Sequence, residues 1–213
     1  DLMSFSQCPR KLWLEHRRTW VPEVDAGAQR RMKEGVQVGD LARRALGPEM
    51  LWPTIDTDNA AQAADAARTL LADNPGLPAV EVPMVYANVY ARADALIPDA
   101  GGYVLRETKA VSYPLNKDKT GPGKPDAHLV LDAAIQAWVM ANSGIPCVRV
   151  ELNLLDSQWR YPGSGDYRGL FKQLDITEPV LEQMADIERL AKEAAAVLDE
   201  PTLPAAQPGK QCS

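Results

Sequence analysis

Long hydrophobic runs are missing from this 213-residue chain. None approaches the roughly 18 apolar residues that a bilayer-spanning helix needs, and no secretory leader is visible, so the cytoplasm is the expected compartment. Cysteine is scarce. Cys8, Cys147 and Cys212 are odd in number and widely spaced, which excludes the disulfide framework of a small secreted domain. An excess of positive charge is lacking too: 23 Lys and Arg stand against 29 Asp and Glu, a formal net charge of −6. A nucleic-acid binder ordinarily carries a basic face, but the distribution softens that objection. Residues 151–200 hold five Lys or Arg and eleven Asp or Glu, so this segment carries the whole excess. The neutral remainder has basic clusters at Arg10-Lys11, Arg17-Arg18, Arg30-Arg31-Lys33, Arg43-Arg44 and Lys117-Lys119-Lys124, each a solvated face or part of a basic groove. The first residue is Asp1, not methionine, as in a fragment of a longer protein.

What is present suits one folded domain. Hydrophobic residues make up 46% and charged residues 24%, enough to bury a core and too little charge for disorder. "SFSQCPRKLWLEHRR" predicts a short helix closed by Pro22. Met32, Val36, Leu41 and Ala45 predict a second helix from about Gln29 to Leu46. Asp58 is the expected cap of an alanine-rich helix ending near Leu71. "AVEVPMVYA", "VYARADALI" and "YVLRETKAV" predict three strands, the last two joined by a hairpin at "PDAGG". Asp126 is the expected cap of a helix to about Asn142. "PCVRVELNLL" predicts a fourth strand, and Thr177-Glu178-Pro179 opens a terminal helix to about Leu198. The expected fold is α/β: a mixed central sheet of about four strands flanked by helices. It would be a single domain over 1–213, with a core at about 28–156, an N-terminal helical segment at 1–27 and a C-terminal helix and tail at 157–213.

Charge inside these strands needs a reason. Residues two apart on a strand face the same side, so Glu107 and Lys109 project together while Val104, Arg106, Thr108 and Ala110 take the covered face. With Asp94 on the neighbouring strand, the two carboxylates and the main-chain carbonyl of Thr108 offer the hard oxygen donors that suit Mg²⁺ or Mn²⁺. The Lys109 ammonium would orient an attacking water for phosphodiester hydrolysis. E-x-K alone is a common surface pattern. His128, Asp132 and Gln136 follow at i, i+4 and i+8, a stripe drifting about 40° per step on a helix, which is either the wet side of an amphipathic helix or the wall of a cleft. Trp13, Trp20 and Trp52 are either core residues or stacking surfaces for bases.

Asp94…Glu107-Thr108-Lys109 followed by Gln136 resembles the PD-(D/E)XK nuclease superfamily, whose core runs helix, three strands, helix, strand. More narrowly, the chain is similar to the RecB-like branch, which includes the CRISPR-associated exonucleases and an uncharacterised bacterial family. The cues are "SFSQCPRKLWL", "EGVQVGDLARRAL", "EVPMVYANVYARADAL", "YVLRETKAV", "HLVLDAAIQAWVM" and the closing "GKQC", in that order over nearly the whole chain.

The resemblance implies a restriction-endonuclease-like core and metal-dependent cleavage of DNA, single-stranded or at duplex ends, in repair, recombination or defence. Asp94 and Glu107 would be metal carboxylates, Lys109 the catalytic lysine and Gln136 the glutamine of a Q-x-x-x-Y motif. Glu81 would be a further acidic ligand. The chain departs from the pattern at Met140, where the tyrosine would fall, and at Gly39, where relatives place a metal-binding histidine. Without that imidazole, either metal affinity would be weaker or Glu34, Asp40 or His128 would substitute. Several relatives hold an iron–sulfur cluster. Cys8 and Cys212 match two of its ligands, while four thiolates are the usual requirement and Cys147 reads as a small buried hydrophobe. The alternative function is a catalytically silent module that binds nucleic acid or protein through the same cleft.

Overall fold

The computed structural model describes residues 1–17, 25–53 and 57–206. Two short helices open the chain, α1 (Leu2–Gln7) and α2 (Pro9–His16). They are separate because Cys8 between them is extended and Pro9 takes the first helical position of α2, where its missing N–H costs nothing. The single helix expected over this stretch is therefore two. Asp25 caps α3 (Ala26–Ala45), accepting from the Ala28 N–H at 2.7 Å. Asn59, not the expected Asp58, caps α4 (Ala60–Asp73), its side chain accepting from Ala61 and Gln62.

Three strands follow: β1 (Ala79–Tyr86), β2 (Val89–Asp99) and β3 (Gly102–Ser112). Ala87 and Asn88 join β1 to β2, both with positive φ, as a twist-matched two-residue hairpin turn requires. Next come α5 (Ala127–Asn142), β4 (Cys147–Leu155), β5 (Phe171–Asp175) and α6 (Thr177–Asp199). Asp126 caps α5 as expected.

The strands form one mixed sheet in the order β1-β2-β3-β4-β5. Every neighbouring pair is antiparallel except β3 with β4, which are parallel and joined through α5, the crossover a parallel pair needs. Five strands replace the expected four. The fifth lies in the segment read as helix and tail, and only Leu174 of "FKQLD" is buried, too little alternation to betray a strand. The parallel pair also explains Gly102: a Cβ there would lie 2.5 Å from the Pro146 carbonyl oxygen.

Both faces of β3 are covered at its start, where Val104 and Leu105 are buried in succession. Its far end is open, and Ala110, expected on a covered face, is exposed. The main core gathers Ala67 and Leu71 of α4, Tyr103 and Leu105 of β3, Ala134 and Val139 of α5 and Ile187 of α6. The N-terminal helices pack on α6. Leu2, Phe5 and Leu12 join the same core, and the Trp13 indole N–H donates to the Glu200 carbonyl at 3.0 Å. Among the described residues no helix is long and apolar enough to cross a membrane.

Alternation breaks once in β1 and once in β2, at the same level. Ala79 and Val82 belong to one core although they are three apart, as do Ala93 and Leu96. The pairing register still holds on both sides of the break, with Val80 opposite Ala95 and Val82 opposite Ala93. The residues between are Glu81 and Asp94. Glu81 has a left-handed backbone, φ +52°, which is costly for a residue with a Cβ. Both strands turn over there, and two carboxylates leave the ladder together.

Candidate active site

The β2–β3 ladder runs from Asp99 opposite Gly102 to Ala95 opposite Arg106 and stops. The next pair would be Asp94 and Glu107. There the Asp94 carboxylate replaces a main-chain partner, Oδ2 accepting from the Thr108 N–H at 2.9 Å. Because the N–H and C=O of one strand residue point to the same side, the Thr108 carbonyl also faces the edge that β2 has left. The Asp94 carboxylate thus meets the Thr108 main chain where the sheet splits, beside Glu107 of the same strand.

Glu107 is only 5% exposed. Its Oε1 lies 2.9 Å from the Lys109 Nζ, as the two-residue spacing on one strand predicts. Lys109 Nζ also donates to Asp132 Oδ2 at 2.6 Å, which fixes the ammonium between strand and helix. Gln136, one turn beyond Asp132 on α5, is buried. Glu107 Oε2 and Gln136 Oε1 are both buried without a hydrogen-bond donor, and leaving such an atom unpaired costs about 1–3 kcal/mol.

The predicted stripe on α5 therefore divides. Asp132 and Gln136 border a cavity of about 610 Å³, together with Leu2, Leu12, Arg92 and Leu198. His128 is exposed on the first turn of α5 and lines a different surface concavity with Ser6, Gln7 and Gln183. The structure does not bring it to Glu107.

On the opposite face of the sheet, a smaller cavity of about 130 Å³ is bordered by Asp94, Thr108, Gly39, Ala42 and Arg43. The glycine standing where a histidine was expected thus shares this cavity with Asp94. Glu81 is placed nearby, but both its oxygens are engaged: Arg43 Nη1 is 2.5 Å from Oε1 and Arg92 Nε is 3.0 Å from Oε2. Arg43 also pairs with Asp40, and Glu34 pairs with Arg30 at 2.7 Å. Met140 is wholly buried, so the position of the expected tyrosine serves the core.

The charges of the site act on one another. Glu107 is pushed up to about 7, first by burial and then by the negative charge of Asp94, with Lys109 working against both. Asp94 is raised by burial, partly offset by the Thr108 N–H. Burial would lower the Lys109 ammonium, but the Glu107 and Asp132 carboxylates outweigh it and hold the pKa above the usual lysine range. Lys109 stands among the Asp94, Glu107 and Asp132 carboxylates, with Arg43 and Glu81 also acting on Asp94; the net negative charge favours binding a further cation. The donors Asp94, Glu107 and Thr108 C=O, all oxygen, fit a hard divalent ion. Among the described residues, no group of three or more His, Cys, Asp or Glu side chains is set to hold a metal by itself.

The cysteines fit a cluster less well. Cys8 sits between α1 and α2, partly exposed, and the chain beyond α6 passes close by, with Arg10 Nη1 3.4 Å from the Pro204 carbonyl. Cys212 lies outside the described residues. Cys147 opens β4, and burial pushes its thiol up. Three cysteines do not supply four thiolates.

Two features of the site were not legible from spacing: the Asp132 clamp on Lys109 and the pair of arginines holding Glu81. Lys109 and Asp132 are 23 residues apart and meet only through the crossover. No family model, curated protein or solved structure matches this chain.

Proposed function

We propose that the protein is a metal-dependent deoxyribonuclease of the cytoplasm, hydrolysing phosphodiester bonds at the split between β2 and β3. One observation carries the reading: the buried Glu107 carboxylate shares Lys109 with Asp132 while its other oxygen has no donor. That is a poor arrangement for stability alone, and it is the one a hard cation and its waters would complete. Mg²⁺ or Mn²⁺, when bound, would supply Lewis acidity toward the phosphate and lower the pKa of the attacking water.

The protein's own groups divide the remaining work. Asp94, Glu107 and the Thr108 carbonyl would hold the ion. Lys109 would orient the attacking water and lay positive charge beside the phosphate as charge builds on its oxygens. Asp132 keeps that ammonium in place. The Gln136 amide would donate to a phosphate oxygen. The role in repair, recombination or defence follows from the proposed substrate.

The test is degradation of labelled single-stranded and duplex DNA with Mg²⁺, Mn²⁺ or EDTA. Cleavage should need the metal and be lost in Lys109→Ala with the circular dichroism spectrum unchanged. A second reading, a silent binding module on the same site, is favoured by Gly39 in place of an imidazole and by the two carboxylates that already occupy Lys109. DNA binding without cleavage under either metal, equal in wild type and Lys109→Ala, would select it.

A further inference from the structure

The 15 residues between β4 and β5 carry three aromatic rings that spacing alone does not bring together. Trp159, Tyr161 and Tyr167 cluster with ring centroids 5.2–6.0 Å apart, and Tyr167 stacks on both the others. The loop is built to hold them. The Trp159 indole N–H donates to the Arg168 carbonyl at 2.9 Å, and the Gly165 N–H donates to the Tyr161 hydroxyl at 2.7 Å. Gly163, Ser164, Gly165 and Gly169 supply the left-handed turns.

A cluster that merely stapled a loop would bury its rings. Here Tyr161 is 52% and Tyr167 40% exposed, an apolar surface held rigidly in water.

Its surroundings are cationic once paired charges are set aside. Asp156 pairs with Lys172 and Asp166 with Arg168, whereas Asp118, bonded to Thr120, and Asp126, the α5 cap, keep their charges against Arg160, Lys117, Lys119 and Lys124. Among the described residues, Arg160 donates to the uncharged Ser157 and Trp159 carbonyls. Lys117, Lys119 and Lys124 are exposed, on the loop after β3. The two loops share a root, where the Tyr113 N–H donates to the Leu155 carbonyl at 2.8 Å and Lys172 Nζ lies 5.8 Å from the Tyr113 ring centroid. Both spring from the end of the sheet toward which the parallel strands β3 and β4 run, with Lys109 opposite Leu154 in their last turns of pairing.

Exposed π-faces beside unpaired cations match one chemistry: unpaired bases linked by phosphates. We propose that this platform binds single-stranded nucleic acid and presents it to the β2–β3 split, so that the substrate of the site is a single strand. The direction toward Lys109 rests on the nuclease reading. The binding does not.

The two are separable by titrating the full chain, in EDTA, into a fluorescein-labelled 20-mer of thymidylate and into a duplex of equal length. Anisotropy should rise for the single strand at lower protein concentration than for the duplex. Tyr161→Leu/Tyr167→Leu keeps apolar bulk but removes two π-faces. Its affinity should fall about tenfold or more, as losing stacked bases implies, while Tyr167→Phe, which keeps the ring and the Gly165–Tyr161 bond, should bind like wild type. Replacing Lys117, Lys119 and Lys124 by Ala should flatten the dependence of log affinity on log salt by about 2. Single-strand affinity unchanged in the leucine variant, or tighter binding of the duplex by wild type, overturns the proposal. Binding as proposed, without cleavage, would retain the platform and reject the nuclease.

Discussion

A buried glutamate with a raised pKa makes its presence felt in stability as well as in chemistry. Glu107 ionises near 7 in the fold against about 4.5 when unfolded. Its folded pKa is above its unfolded one, so the stability it contributes is fully present below about pH 4.5 and is lost as the pH rises through 7. Glu107→Gln keeps an acceptor for Lys109 and cannot ionise. Chemical denaturation should therefore show Glu107→Gln gaining on wild type by up to a few kcal/mol between pH 4.5 and 8. Equal pH profiles for the two proteins would mean that Glu107 is not desolvated. Lys109→Ala works in the opposite direction, leaving Glu107 and Asp132 without their shared cation. It should abolish cleavage and also lower stability at neutral pH, more than its effect at pH 4.5. Gly39→His tests the gap beside Asp94. A Cβ there meets only Arg43 Nη1 at 3.6 Å, an ordinary contact, so the variant should fold. Calorimetric titration should then show tighter Mn²⁺ binding, since imidazole is a good ligand for that class of ion.

At the scale of elements, what was legible was what is local. The Asp126 cap, the hairpin at "PDAGG" and the E-x-K strand each declare themselves within a few residues, and each is where it was expected. Asp58 and Asn59 are both good caps by residue type, and only the geometry chooses Asn59. Replacing Asn59 by Ala should cost about 1 kcal/mol, visible as a lower denaturation midpoint, while Asp58→Ala should cost much less. The break in alternation at Glu81 and Asp94 was not legible. Glutamate does not signal a left-handed backbone as glycine or asparagine would, and the pattern counts of "AVEVPMVYA" are those of a regular strand. Yet this break is what lifts the two carboxylates out of the ladder. The aromatic loop was hidden for a different reason: the left-handed turn at Gly163, Ser164 and Gly165 folds Tyr167 back onto Trp159 and Tyr161, and spacing does not announce that return.

For the whole molecule, the site ties elements that are far apart in sequence. Asp94 and Glu107 come from the antiparallel part of the sheet, and Asp132 and Gln136 from the crossover helix. α3 lies over the other face. A divalent ion bound only by the folded arrangement must stabilise the whole fold by mass action. Mn²⁺ or Mg²⁺ should therefore raise the melting temperature of wild type, with little effect on Asp94→Asn/Glu107→Gln. An equal shift in both would place the ion elsewhere.

The sheet ends differently on its two sides. The first residues of β1 are flanked by Leu51, whose main chain exchanges hydrogen bonds with Pro78 and Val80. β5 has no strand beyond it among the described residues, so its outer row of main-chain groups is a template for another chain. Five residues is a short template, and "FKQLD" places Lys172 and Asp175 on it. Lys172 is also the residue that joins the roots of the two loops. The lysine that steadies the platform is thus also a gatekeeper against edge-to-edge aggregation, and its loss would be felt first as poor solubility.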